Sequence, residues 1–174
     1  MQRPLTAAEL RHWAEQYART DTELADTGAG TAHVIFRVGG ERFAVPLADL
    51  DEVAQVEVGI GLDHASPLVL GLVNIRGEIV PMLDTAAALG TRASHRLGPQ
   101  NRSLVIRDTR DRRTALPVDQ VESIEPLAPE AFEARGGDDT AALIRRVGIG
   151  EHAGGALTLL DVGGLRRAGA DACF

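Results

Sequence analysis

The chain has 174 residues, is 44% hydrophobic and carries a formal net charge of −7. That is enough apolar material for one compact domain or two small ones, and the wrong sign for a phosphate backbone, so nucleic acid is not an expected partner. All eighteen basic residues counted as Lys+Arg are arginine, which removes the phosphate-loop lysine, the kinase strand lysine and every lysine Schiff base, and with them ATP and pyridoxal chemistry.

Residues 1–30 stand apart from the rest of the chain. Thr6-Ala7-Ala8-Glu9 reads as a capping box, and Leu10, Trp13, Ala14 and Tyr17 fall on one helical face, so a short helix and then a polar linker are expected. Deleting residues 1–28 is expected to leave a folded protein. The N-terminus has no signal-peptide apolar region, and no apolar run approaches the ~18 residues of a membrane span. The expectation is a cytoplasmic protein with no direct membrane insertion. From Thr31 the pattern changes to short β-rich runs bounded by Gly, Pro and Asp: 33–38, 42–47, 68–75, 78–83, 103–108, 114–118 and 156–160. Such spacing points to small barrels or sandwiches.

Two of the runs repeat. Arg42–Val53 (RFAVPLADLDEV) matches Arg113–Ile124 (RTALPVDQVESI) at an offset of 71, and Val34-Ile35 is set against Val105-Ile106 at the same offset; the run ending at Asp84 is echoed by the run ending at Asp161 at an offset of 77. The self-similarity predicts two copies of one supersecondary unit, a first barrel over 31–100 and a second over 101–167, with a tail at 168–174. Pro46 and Pro117 should then occupy equivalent places. Each copy is too small to stand firmly alone, so the two should pack together and leave a groove suited to a peptide or helix. His95–Asn101 reads as a crossing loop and Pro126–Ala141 as a mobile surface loop.

Leu68–Asp84 (LVLGLVNIRGEIVPMLD) is apolar except at its middle, and reads as a hairpin whose tight turn is Arg76-Gly77. Gly77 supplies the positive φ that such turns need, and Arg76 is displayed at the rim. The five histidines have no ligand-like spacing, so no metal is expected, and the lone Cys173 forms no intramolecular disulfide. The Gly-rich run near Gly148 does not follow a dinucleotide order, and no cofactor is expected. Asp84, Asp119 and Asp161 each follow a β-run and read as turn caps. Taken as acids or bases beside His152 they would give a small hydrolase, an alternative of another class.

Gly71-Leu72-Val73-Asn74-Ile75-Arg76-Gly77 leading into Val80-Pro81-Met82-Leu83-Asp84 resembles the signature of the CheW-like chemotaxis coupling domain. The resemblance extends over Thr31–Leu165 and implies a mainly β fold, two intertwined five-stranded SH3-like barrels, with the N-terminal helix as an addition. It also implies a scaffold without catalysis that couples the cytoplasmic tip of methyl-accepting chemoreceptors to the regulatory domain of a CheA-type histidine kinase, in receptor arrays at the inner membrane. An adaptor of a non-flagellar array, controlling pili or surface growth, is the alternative within the fold. Carried over by position, Glu52 and Arg76 would pair on the receptor face, and exchanging their charges should preserve part of the binding. Asn74 and Gly77 belong to the same turn, while Leu50, Val53, Val118 and Val121 would be apolar groove residues. Ile60, Leu62 and Leu68 would face the kinase. After Asp84 the chain departs from the family pattern: Thr85–Gly90 (TAAALG) predicts a short helical turn ended by Gly90, and the C-terminal stretch stands in place of a regular final helix.

Overall fold

The computed structural model describes residues 30–56, 60–62, 66–91, 102–134 and 143–168. The expected N-terminal helix and linker, the His95–Asn101 loop and the tail with Cys173 lie outside them. In chain order the elements are β1 (Thr31–Val38), β2 (Glu41–Pro46), β3 (Leu50–Ala54), β4 (Val69–Ile75), β5 (Glu78–Leu83), α1 (Thr85–Leu89), β6 (Arg102–Arg107), β7 (Arg113–Val118), β8 (Gln120–Leu127), β9 (Glu133–Ala134), β10 (Arg145–His152), β11 (Gly155–Asp161) and α2 (Gly163–Ala168).

Two sheets result, in the orders β8-β1-β2-β11-β10-β9 and β3-β6-β7-β5-β4. Replacing each strand of the second by its repeat partner reproduces the first, with β9 as an extra edge. The parallel contact between β5 and β7 pairs Met82 with Ala115, and its image between β11 and β2 pairs Leu159 with Ala44; the offsets are the 77 and 71 of the sequence. Pro46 lies opposite His33 and Pro117 opposite Ser103, equivalent places as expected. One alignment shifts by a residue: Val34 corresponds to Leu104 and Ile35 to Val105, because the chain between the paired Arg107 and Arg113 is one residue longer than that between the equivalent pair Arg37 and Arg42.

The expected bounds 31–100 and 101–167 separate the repeats and not the barrels. The β1–β2 hairpin leaves its own repeat to lie between β8 and β11, and β6–β7 does the reverse. This exchange produces three apolar layers. Val34, Phe36, Phe43, Leu104, Ile106 and Leu116 form the core between the sheets, while Val73, Val80, Met82 and Val105 fill one barrel and Ile35, Leu127, Leu157 and Leu159 the other. Alternation along β1 explains it, since Val34 and Phe36 point to the shared core and Ile35 to its own barrel.

Two expectations change. Pro126–Ala141 is not a surface loop along its described part: it supplies the end of β8, a 3-10 turn (Pro129–Ala131) and β9. It also brings Phe132 against the second barrel's core. Room for that ring comes from Gly150, where a Cβ would sit 2.7 Å from Phe132 Cδ1; the equivalent residue in the first barrel is Val73. The C-terminal stretch does form a helix, α2, started by Asp161 Oδ1 accepting from Gly163 N at 2.7 Å and anchored by buried Leu165. As predicted, α1 is capped by Asp84 Oδ1 on Ala87 N at 2.9 Å and ends at Gly90, φ 64°.

Candidate partner-binding surface

The β4–β5 turn places Arg76 at φ 54° and Gly77 at φ 90°, the two positive values of a type I′ hairpin turn. Gly adopts this without cost, but an arginine with a Cβ does not. Asn74 Oδ1 accepts from Gly77 N at 2.8 Å and braces the turn. The repeat holds a plain version of the same turn in Ala153 (φ 49°) and Gly154 (φ 76°), so the backbone conformation belongs to the fold, and the arginine is what this copy adds.

Arg76 is 81% exposed and donates from Nε to Glu52 Oε2 at 2.8 Å. The two residues that the family resemblance sets together thus meet across 24 positions of the chain. Beside them runs an open groove of about 290 Å³ between β3 and the end of β4, lined by Glu52–Val56 and Asn74–Arg76. Val53, 42% exposed, supplies its apolar wall.

The other apolar candidates lie elsewhere. Val118 is 0% exposed inside the shared core, and Leu50 and Val121 pack against that core; the correction follows from strand alternation, which turns these side chains to the inter-sheet face. Of the three residues assigned to a second face, Leu68 also packs on the core, Leu62 is half-buried, and Ile60 is 61% exposed and bridged to Leu72. The register sets Leu72 opposite Pro81 and Asn74 opposite Ile79, so Ile60, Leu72, Pro81 and Ile79 share the outer face of the hairpin. Ile79, which the sequence reading missed, is 59% exposed there. Its repeat equivalents are Glu133, Ile149, Thr158 and Ala156, so the apolar outer face is not duplicated.

Also missed were Asp51, Glu78 and Arg113. Arg113 has a side chain only 6% exposed and lies among three carboxylates: Asp51 Oδ2 at 2.9 Å from Nε, Glu78 Oε2 at 3.3 Å from Nη1, and Glu52 Oε1 against Nη2. The Nε contact is an ion pair misaligned for a hydrogen bond. The available signal was the repeat itself, in which Arg113 stands where Arg42 stands. The strand-end carboxylates are caps: Asp84 and Asp161 as above, and Asp119 Oδ2 accepting from Gly39 N at 2.7 Å. His152 Nε2 lies 2.7 Å from Glu125 Oε2, and Ser123 Oγ donates to the other oxygen of that acid at 2.5 Å.

Two barrels that share a core thus carry a charged turn over an open groove and an exposed apolar outer face. The chain belongs to the CheW-like domain family, whose model matches residues 32–169. It is 32% identical over 99 residues to "Chemotaxis protein CheW" of Rhizobium meliloti (strain 1021), covering 56% of this chain and 62% of that protein. It is 32% identical over 97 residues to "Protein PilI" of Pseudomonas aeruginosa (strain PAO1), covering 56% and 53%. The matches thus span under two thirds of the relatives' own length. Among solved structures, the scaffolding protein TtCheW from Thermoanaerobacter tengcongensis superposes with a TM-score of 0.63 at 20% identity, over 76% of this chain and 89% of that one. Among the described residues no helix is long and apolar enough to cross a membrane.

Proposed function

We propose that the chain is a non-catalytic cytoplasmic adaptor that couples chemoreceptors to a CheA-type histidine kinase in membrane-associated arrays. Family membership supports the class. The observation that carries the reading is the Glu52–Arg76 pair on a turn whose strain the repeat's own version does not need an arginine to adopt. Its groove, with Val53 as apolar wall and Arg76 at the rim, fits a receptor hairpin tip that offers both an apolar and a polar or acidic group. The outer face of Ile60 and Ile79, apolar and exposed, is the surface offered to the kinase's regulatory domain.

The likeness to PilI favours one second reading, an adaptor of a non-flagellar sensory array on the same fold. The test is titration of the full chain with a receptor-tip fragment. Arg76→Ala is expected to weaken binding about tenfold, close to ~1.4 kcal/mol, with little change in Tm, and Arg76→Lys should recover little because an ammonium lacks the fork. Unchanged affinity in Arg76→Ala would overturn the receptor-face assignment. Ile79→Asp should separately abolish kinase capture and spare receptor-tip binding.

A further inference from the structure

Each sheet carries a bulge at which one carboxylate sits between two arginines. Asp51 takes Arg107, at 3.0 Å, and Arg113, at 2.9 Å. Glu122 takes Arg37, in a short contact, and Arg42 at 2.9 Å. Arg37 and Arg107, Arg42 and Arg113, and Glu122 and Asp51 are repeat equivalents, and the register breaks at both acids. The clamp therefore belongs to the duplicated fold.

What differs is what lies beyond it. Arg42 directs Nη1 to the His152 carbonyl at 2.7 Å, and the residue after Glu122 is Ser123, which cannot bridge two guanidinium groups. Arg113 instead holds Oε1 of Glu52, whose Oε2 holds Arg76 Nε at 2.8 Å. Among the described residues Glu52 is the one side-chain partner of Arg76, and it is shared with a buried cation.

We propose that Arg113 is a positioning residue for the binding surface: it fixes Glu52 and offsets the charge of Asp51 and Glu78, so that Arg76 is held by Nε alone and presents its two Nη groups to a partner. Without Arg113, Asp51, Glu52 and Glu78 form a cluster short of one cation, and the flexible Arg76 is drawn inward to it. The relay stands independently of the adaptor reading, which supplies only the identity of the partner.

The experiment compares Arg113→Met with Arg42→Met, the matched lesion in the other barrel, in the full chain. The readouts are the Arg76 side-chain Nε–Hε NMR signal, assigned by its loss in Arg76→Ala, the affinity for a receptor-tip fragment, and Tm. Arg113→Met is expected to shift or broaden the Arg76 signal and to weaken binding about tenfold, with no further loss when combined with Arg76→Ala. Arg42→Met is expected to lower Tm comparably and leave the Arg76 signal and affinity unchanged. Arg113→Lys, which keeps the charge without the fork, should recover Tm and not the Arg76 signal, and it carries the test if Arg113→Met does not fold. An unaltered Arg76 signal in a folded Arg113 variant, or affinity losses that simply add, would overturn the relay. Wild-type affinity in Arg76→Ala would overturn the receptor reading alone, since the NMR comparison still decides the relay.

Discussion

Glu52 answers to two arginines, and this reverses an expectation drawn from the pair alone. If Glu52 and Arg76 met in isolation, exchanging their charges would restore the contact. In the fold Glu52 Oε1 faces Arg113, which is buried, so Glu52→Arg sets two guanidinium groups together where solvent screens them poorly. The double exchange, Arg76→Glu with Glu52→Arg, is expected to be less stable than Arg76→Glu by about 3 kcal/mol, the cost of breaking a buried pair, and to bind no better; denaturant melts and titrations of the wild type, the two single variants and the double variant check this. A second consequence concerns the strained φ of Arg76. Asn-Gly is the favoured type I′ pair, so Arg76→Asn should leave Tm unchanged or raise it while weakening receptor-tip binding, a split that an ordinary loss of packing would not give. The family resemblance supplied Glu52 as the partner, and the sequence itself could give the place of Arg76, because a two-residue turn fixes it. Arg113 could not be read there, because its acids come from β3 and β5, strands whose distance from β7 is set by sheet order and by no single stretch.

Hairpins, bulges and the segments that close the barrels show where pattern reading succeeds and fails. The β4–β5 hairpin and the repeat were legible, since turn residues and period-2 alternation are local. Alternation does not say which face meets the shared core, so nothing local in the sequence separates Val118, which the family resemblance puts in the groove, from a core residue. Nor did composition reveal the plug: Pro, Gly and acids around Phe132 look like solvated loop, and it takes Gly148 and Gly150, on a strand distant in sequence, to make room for the side chain. Gly150→Val would give the second barrel the residue that the first has at Val73. Alone it should destabilise by roughly 1–3 kcal/mol through overpacking. Combined with Phe132→Ala it should cost less than the two changes summed, because the new side chain fills the space vacated. Additive losses in urea melts would mean that the ring and the glycine do not share that space.

The ion pairs that tie distant elements together make an acid limit for the whole molecule. At Asp161 the hydrogen bond from Arg145 outweighs burial and holds the carboxyl below its ordinary value; at Glu122 burial is the largest influence and pushes up, but Arg37 and Arg42 together overcome it. Depressed folded-state values mean that the unfolded chain binds more protons, so these groups contribute stability above an unfolded pKa of about 4 and lose it as pH falls through the lower folded values. Stability is expected to be flat near neutrality and to fall below about pH 4, with a shallower fall in Asp161→Asn; melts across pH 2.5–7 measure it. The exchanged hairpins set a stricter condition. One sheet takes β1 and β2 from the first repeat and β8 to β11 from the second, while the other takes β3 to β5 from the first and β6 and β7 from the second. Neither repeat can complete a sheet or the shared core by itself, although the described strands find all their partners within residues 31–161. A chain cut between residues 91 and 102 should therefore give two fragments without a cooperative transition, which on mixing recover the β signal and a single melt. Linking the halves turns that association into an intramolecular step, so the Tm of the mixed fragments should rise with concentration while that of the intact chain does not. A first fragment that melted cooperatively alone would show that its β1–β2 hairpin can fold back on its own repeat, and the exchange would then be a preference of the linked chain instead of a requirement of the fold.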